Sequence, residues 1–177
     1  ADSVSHLLRN IKYDQGTPYN DLCPMINGRR AVTGCVATAM AQIMRYYSYP
    51  NAGTGQVTYT GSNGAKTIDL SDYQFNWNLI LDDYSGQYTP AQGEAVAKLM
   101  LACGAALNMN YSADGSGSYL DKAMVAFKNN FNYSKKIGHF DSSNVPDPED
   151  LILYDWAPEI REQHKKGYPV MYSGTPA

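Results

Sequence analysis

The chain has 177 residues, of which 44% are hydrophobic and 18% are charged, and its formal net charge is −3. The apolar fraction is sufficient for a folded core and excludes wholesale disorder. The small negative charge and the lack of a basic stripe argue against nucleic acid as a partner, and no apolar run reaches the roughly 20 residues that a membrane span needs.

Turn-rich segments separate the predicted elements of the first half of the chain. Apolar residues spaced by three and four positions predict a short amphipathic helix over 3–12. The clearest helix begins after Gly34, where small alanines beside larger apolar side chains indicate a central helix in close contact on several sides. Alternating residues around an Asn-Gly turn predict a hairpin over 56–70.

The second half of the chain continues with helices and ends on a strand. A proline begins a second long helix over 90–107. A flexible loop over 114–118 leads to a third helix at about 119–130. Further along, the pattern predicts a helix over 155–166 that is closed by a glycine, and a strand over 168–172.

The three cysteines are Cys23, Cys35 and Cys103. An odd number leaves at least one thiol outside any intrachain disulfide, and no pair has the spacing of a structural zinc site. Cys103 falls on the apolar face of the second long helix and is predicted to be buried. Cys23 precedes Pro24 in a loop, where it is either a spare thiol or a packing residue.

Cys35 is the candidate nucleophile because it lies at the predicted start of a helix. The positive end of the helix dipole and the unpaired N–H groups of the first turn both favour the thiolate over the thiol. Thr33 and Gly34 are small enough to let a substrate approach, and the same N–H groups can stabilise an oxyanion near the sulfur. The alternative interpretation is a small buried residue, which is the usual role of a free cysteine.

A cysteine nucleophile normally needs an imidazole base nearby. The histidines of this chain are His6, His139 and His164. His6 lies in the first predicted helix and His164 lies beside two lysines, so both are predicted to be solvated. His139, in a predicted strand or loop, is the one candidate base among them.

Four stretches of the chain, in order from about Leu7 to Gly174, resemble the streptopain family of cysteine peptidases. The longest and most specific match is the nucleophile segment of that family, AVTGCVATAMAQIMRY at 31–46. The other three stretches are YDQGTPYN at 13–20, YQFNWNLI at 73–80 and KGYPVMYSG at 166–174.

This resemblance implies an α+β, papain-like fold: a central helix carrying the nucleophile and the start of an antiparallel sheet, incomplete at the C-terminus. Residues 1–177 would then be the N-terminal portion of one catalytic domain, with its helical part over about 1–135 and the start of its sheet over about 136–177. The resemblance makes Cys35 the nucleophile, with its backbone N–H in the oxyanion hole. It also makes Ser116 and Ser118 substrate contacts.

The family consists of secreted bacterial endopeptidases that are made as zymogens, often by host-associated species. The resemblance therefore implies protein or peptide substrates, an N-terminal prodomain in the zymogen, and no metal or cofactor. It places the protein outside the cell, at the bacterial surface or in the periplasm. The chain begins without Met and without a signal segment, which is expected of a mature, processed protein and equally of an expressed fragment.

Two features depart from the family pattern. The family's catalytic histidine lies in a Gly-Gly-His-Ala type motif shortly after the strand that matches 168–172, and this sequence ends at Ala177 before such a motif. The resemblance therefore predicts a catalytic histidine on a C-terminal chain of the same precursor, and no activity for this chain alone. Papain-like enzymes also place a glutamine six residues before the cysteine, where this chain has Arg29.

Two other functions remain open at this point. A degenerate domain that binds peptides without cleaving them would contain an unreactive Cys35 and need no second chain. An amidase acting on cell-wall peptides would cleave peptidoglycan fragments and leave casein intact.

Overall fold

A computed structural model of the chain describes residues 10–118 and 120–133. The predicted helix over 155–166, the predicted strand over 168–172 and the whole predicted sheet part over 136–177 lie outside these residues. Residues 3–9 of the first predicted helix lie outside them as well. Its predicted end is wrong, because residues 10–12 are not helical: the Lys12 amide donates instead to the Asp82 carbonyl at 2.8 Å.

The central helix, α1, spans Cys35–Tyr47 and confirms the prediction of a helix directly after Gly34. Its apolar stripe is buried, including Met40 and Met44, which are fully inaccessible to solvent. The helix ends at Ser48, which adopts a left-handed conformation with φ 48° and whose N–H binds a carbonyl of the last turn. Burial of this stripe on several sides anchors α1 in the core and thereby fixes the position of its first residue.

The second long helix, α2, spans Pro90–Ala106 and packs against α1. Its start is set by a reciprocal cap: the Gln92 amide donates to the Thr89 hydroxyl at 3.2 Å, and the Thr89 amide donates to the Gln92 side chain at 2.8 Å. Proline suits the first position of the helix, because an N–H there would have no partner within the helix. Nearly every residue from Val96 onward is buried. A third helix, α3, spans Leu120–Asn129 and contacts both α1 and α2.

Two antiparallel hairpins and a short 3₁₀ helix at Leu70–Asp72 complete the described elements. The first joins β1 (Met25–Ile26) to β2 (Arg29–Arg30) through a turn with positive φ at both central residues. The second joins β3 (Gln56–Gly61) to β4 (Gly64–Asp69) and confirms the hairpin predicted over 56–70.

Strand β3 also positions the segment that follows α2. The Thr60 amide donates to the Met109 carbonyl at 2.9 Å, and the Tyr111 amide donates to the Thr60 carbonyl at 2.9 Å. These two bonds hold residues 109–111 in an extended conformation beside the hairpin. The loop over 112–118 begins directly after them, so its position depends on β3.

Gly104 allows a close approach between α2 and this extended segment. A Cβ at Gly104 would overlap the hydroxyl oxygen of Tyr111 and lie 3.0 Å from its Cζ. Tyr111 is 4% exposed, and its hydroxyl makes no hydrogen bond within the described residues. The glycine is therefore required by packing and not by backbone conformation.

Replacing Gly104 by alanine is expected to lower the free energy of unfolding by about 3 kcal/mol, because the core must shift to accept the extra methyl group. Urea unfolding monitored by circular dichroism measures this loss. The double variant Gly104→Ala/Tyr111→Phe should regain part of it, since the overlapping oxygen is gone. Tyr111→Phe alone should cost little, because the polar group beside this buried hydroxyl is the Cys23 thiol, which is only a weak hydrogen-bond partner. A double variant no more stable than Gly104→Ala would contradict this explanation.

Candidate active site

Cys35 is the first residue of α1 and is exposed, whereas the next three residues of the helix are buried. No acidic side chain lies in that first turn. The thiol therefore faces solvent at the positive end of the helix dipole, beside N–H groups that have no partner within the helix. This exposure lets a substrate carbonyl reach the sulfur, as nucleophilic attack requires.

Gly34 caps the helix in a conformation that side-chain-bearing residues rarely adopt, with φ 87° and ψ 141°. A Cβ at this position would lie 2.7 Å from Cε of Met109 and 3.1 Å from the backbone oxygen of Ser116. Both the backbone angles and the space around it therefore require glycine. The close approach brings the 112–118 loop to the start of α1.

Ser116 ties that loop to the segment preceding Cys35. Its hydroxyl donates to the Val32 carbonyl at 2.7 Å and accepts from the Ser112 amide at 3.0 Å. The Val32 amide in turn donates to the Ser112 carbonyl at 3.1 Å. Ser118 lies further along, and its hydroxyl donates to the Leu107 carbonyl at 3.0 Å. Both hydroxyls thus donate their proton to a backbone carbonyl. The Ser118 hydroxyl oxygen can still accept a hydrogen bond.

Gln15 is a site residue that the sequence analysis missed. Its side-chain oxygen accepts from the Gly34 amide at 3.0 Å, and its backbone oxygen accepts from the Thr33 amide at 3.3 Å. Since the oxygen of the carboxamide points to Gly34 N–H, the NH₂ group is the remaining polar end. Among the described residues, none accepts a hydrogen bond from it. A hydrogen-bond donor is thereby available next to the residue before Cys35.

The loop that carries Gln15 is held against the nucleophile segment by a second contact. Asn20 is 7% exposed, and its side-chain nitrogen donates to the Ala31 carbonyl at 2.9 Å. Arg29, which occupies the position of the papain-like glutamine, instead bonds Asp114 at 3.0 Å with both side chains mostly exposed. Its guanidinium thus joins β2 to the 112–118 loop through a surface ion pair.

The two other thiols differ from Cys35 in burial. Cys23 is 1% exposed and Cys103 is inaccessible to solvent, which confirms the predicted burial of Cys103 and makes Cys23 a packing residue. Burial raises the pKa of the Cys23 thiol to about 12 and raises the pKa of Cys103 as well. Both thiols therefore stay protonated at neutral pH and are poor nucleophiles.

The described residues do not include the candidate base. His6, His139 and His164 all fall outside the described residues, so the predicted role of His139 stays a prediction. Within residues 10–118 and 120–133, no group of three or more histidine, cysteine or acidic side chains is placed to hold a metal ion. None of the helices in that part of the chain is long and apolar enough to cross a membrane.

The chain is similar in sequence to two bacterial thiol proteases. Streptopain from Streptococcus pyogenes is 34% identical over 184 residues, which cover 94% of this chain and 45% of the relative. The thiol protease/hemagglutinin PrtT from Porphyromonas gingivalis is 31% identical over 178 residues, which cover 98% of this chain and 20% of that protein. The chain therefore spans less than half the length of these curated relatives.

The fold is similar to that of a solved cysteine protease. Active interpain A from Prevotella intermedia superposes with a TM-score of 0.79 and 33% identity, covering 93% of this chain and 67% of that one. A fragment of prointerpain A from the same organism gives the same TM-score at 32% identity, with 52% of its length covered. These matches confirm the predicted α+β, papain-like fold.

The family model described as the peptidase C10 family matches residues 13–177. That range includes the predicted nucleophile, the glutamine beside it and the 112–118 loop. The resemblance to the streptopain family is thereby confirmed over most of the sequence. The chain belongs to the peptidase C10 family.

Proposed function

We propose that this chain carries the nucleophile of a secreted bacterial cysteine endopeptidase that cleaves proteins by acyl transfer to Cys35. The observation that carries the proposal is the exposed thiol at the first residue of α1, beside the Gln15 carboxamide. Family membership and the thiol protease relatives support the same chemistry. Proteins and peptides are the proposed substrates.

In the proposed reaction, the Cys35 thiolate attacks the scissile carbonyl carbon and forms a C–S bond. The carbonyl oxygen becomes an oxyanion, which the backbone N–H of Cys35 and the Gln15 NH₂ group stabilise. An imidazolium then gives its proton to the leaving amine as the C–N bond breaks. Water hydrolyses the resulting thioester, and the thiolate and imidazolium form again.

We further propose that the imidazole belongs to a C-terminal segment of the precursor beyond this sequence, so that the chain by itself is inactive. An N-terminal prodomain would keep the precursor latent, and the proenzyme form of a similar protease supports this part of the proposal. The loop over 114–118 is the proposed substrate border, with Ser116 and Ser118 as its contacts. The Ser118 hydroxyl has acceptor capacity for a substrate N–H while it donates to Leu107.

Denaturing mass spectrometry with an epoxysuccinyl thiol-protease inhibitor, together with casein hydrolysis, tests this proposal. We expect the processed longer precursor to cleave casein, to contain a second chain and to gain one inhibitor adduct on Cys35. The 177-residue chain alone should not cleave casein. Cys35→Ala should abolish both adduct and hydrolysis, whereas Cys23→Ala, a change at a buried thiol, should retain both.

The other outcomes separate the alternatives. Casein turnover by the purified 177-residue chain would contradict the need for a second segment. A processed precursor that releases products from peptidoglycan fragments and none from casein would favour the amidase. A single chain that binds peptides and gains no adduct at Cys35 would favour the non-catalytic binding domain.

A further inference from the structure

Two buried threonines flank the start of the nucleophile helix, one before its cap and one in its first turns. Thr33 is fully buried and Thr38 is 8% exposed. A hydroxyl removed from water costs free energy unless it is hydrogen-bonded. These two hydroxyls bond each other, with their oxygens 2.7 Å apart. Thr33 directly precedes the Gly34 cap, Thr38 is the fourth residue of α1, and both are buried.

The direction of this hydrogen-bond chain follows from counting protons. The Thr38 hydroxyl donates to the Gly34 carbonyl at 2.8 Å, which uses its only proton. The contact between the two threonines therefore has Thr33 as the donor and Thr38 as the acceptor. The Thr38 amide also donates to the Gly34 carbonyl, at 3.1 Å. The Gly34 carbonyl oxygen thus receives two hydrogen bonds from Thr38, and Thr33 braces the one that comes from the hydroxyl.

The Gly34 carbonyl is a special acceptor because the Cys35 N–H belongs to the same peptide plane. A peptide unit is planar and trans, so the orientation of the Gly34 carbonyl fixes the orientation of the Cys35 N–H. Threonine in a helix often bonds a carbonyl four residues back, but here that carbonyl belongs to the residue that caps the helix. Glycine with φ 87° has no side chain of its own to restrain this plane.

We propose that Thr38, braced by Thr33, is a positioning residue that holds the peptide plane between Gly34 and Cys35. Gln15 restrains the other side of Gly34 by accepting from its amide. The backbone N–H of Cys35 then points to one fixed place before any substrate arrives. The effect on catalysis rests on the proposed function, in which this N–H stabilises the oxyanion. The effect of Thr38 on the orientation of the peptide plane does not depend on that function.

The 177-residue chain with ¹⁵N-labelled cysteine tests the structural part without any activity. Its three cysteines give three backbone amide signals, and Cys35→Ser identifies the one that belongs to Cys35. In Thr38→Val, which keeps the shape and loses the hydroxyl, the Cys35 signal should shift or broaden while those of Cys23 and Cys103 stay in place. Thr38→Ser should restore the wild-type spectrum.

Thr58→Val is the matched control, because Thr58 and Thr67 form a similar hydroxyl pair at 2.8 Å within the β3–β4 hairpin. It should leave the Cys35 signal unmoved. If Thr38→Val fails to fold because the Thr33 proton loses its acceptor, Thr33→Val/Thr38→Val removes both hydroxyls together. That variant should fold and still show the altered Cys35 signal. An unchanged Cys35 signal in a folded variant without the Thr38 hydroxyl would overturn the proposal.

Kinetics of the processed precursor test the catalytic consequence. Thr38→Val should lower kcat by about tenfold, less than the loss of a whole oxyanion donor, with KM within twofold of wild type. Thr38→Ser should recover kcat. An active enzyme whose kcat is unaffected by Thr38→Val would refute the catalytic role. If the wild-type enzyme itself is inactive, the proposed function fails, and the Cys35 amide signal still decides whether Thr38 holds the peptide plane.

Discussion

Iodoacetamide at about pH 8 is expected to alkylate Cys35 in the folded chain and to leave Cys23 and Cys103 unmodified. Alkylation requires the thiolate and access to it. Cys35 is exposed at a helix N-terminus, whereas the other two thiols lie in the core. With the pKa of Cys23 raised to about 12 by burial, only about one molecule in 10⁴ carries that thiolate at this pH.

Labelling of Cys23 is expected to increase as the pH rises. A raised pKa keeps a thiol protonated below it, so labelling of Cys23 should grow only as the pH rises toward about 12, or when the core opens. Peptide mapping by mass spectrometry at successive pH values measures each site. The chain unfolded in urea, in which all three cysteines react, is the control. Modification of Cys23 or Cys103 at the rate of Cys35 in the folded chain would refute the prediction.

Replacing Gln15 by alanine is expected to lower kcat of the processed precursor by about 10²-fold, the typical cost of losing one oxyanion donor. KM for a peptide substrate should change little, because the donor acts on the charge that develops in the transition state. Steady-state kinetics with a fluorogenic peptide measures both constants. The expected loss arises because the Gly34 amide holds the Gln15 carboxamide next to the residue that precedes Cys35.

Gln15→Glu separates this role from helix capping. The carboxylate keeps an acceptor for the Gly34 amide but has no N–H to donate, so the loss of kcat should persist while the free energy of unfolding is retained. Gln42→Ala is the matched control, because the Gln42 side chain also accepts from a backbone amide, that of Tyr13 at 3.4 Å. It should leave kcat unchanged. An active Gln15→Glu enzyme with kcat within threefold of wild type would exclude Gln15 as an oxyanion donor.

Local signals account for the parts of the fold that were predicted correctly. The start of α1 is marked by Gly34 and the apolar spacing that follows it, and the start of α2 by Pro90. An Asn-Gly turn between alternating residues marks the β3–β4 hairpin. Each of these elements is stabilised by contacts within a few residues, so composition and periodicity are sufficient to locate it.

The predicted helix over 3–12 shows where such signals fail. Apolar spacing extended the helix to residue 12, but the Lys12 amide binds the Asp82 carbonyl, 70 positions along the chain. Periodicity describes one helix face and contains no information on a competing long-range partner. The tertiary contact therefore decides the conformation of residues 10–12.

The sequence by itself determined the family and the helix that begins at Cys35, and it predicted Cys35 as the nucleophile. All three reside in one continuous stretch around Cys35, where a small residue, a thiol and an apolar stripe follow each other directly. Only the tertiary structure decided what surrounds that thiol. Gln15 reaches Gly34 across 19 positions, and Ser116 reaches Val32 across 84. Such pairs leave no periodic trace in the sequence, because they form only when packing of the core brings distant loops to the same helix end.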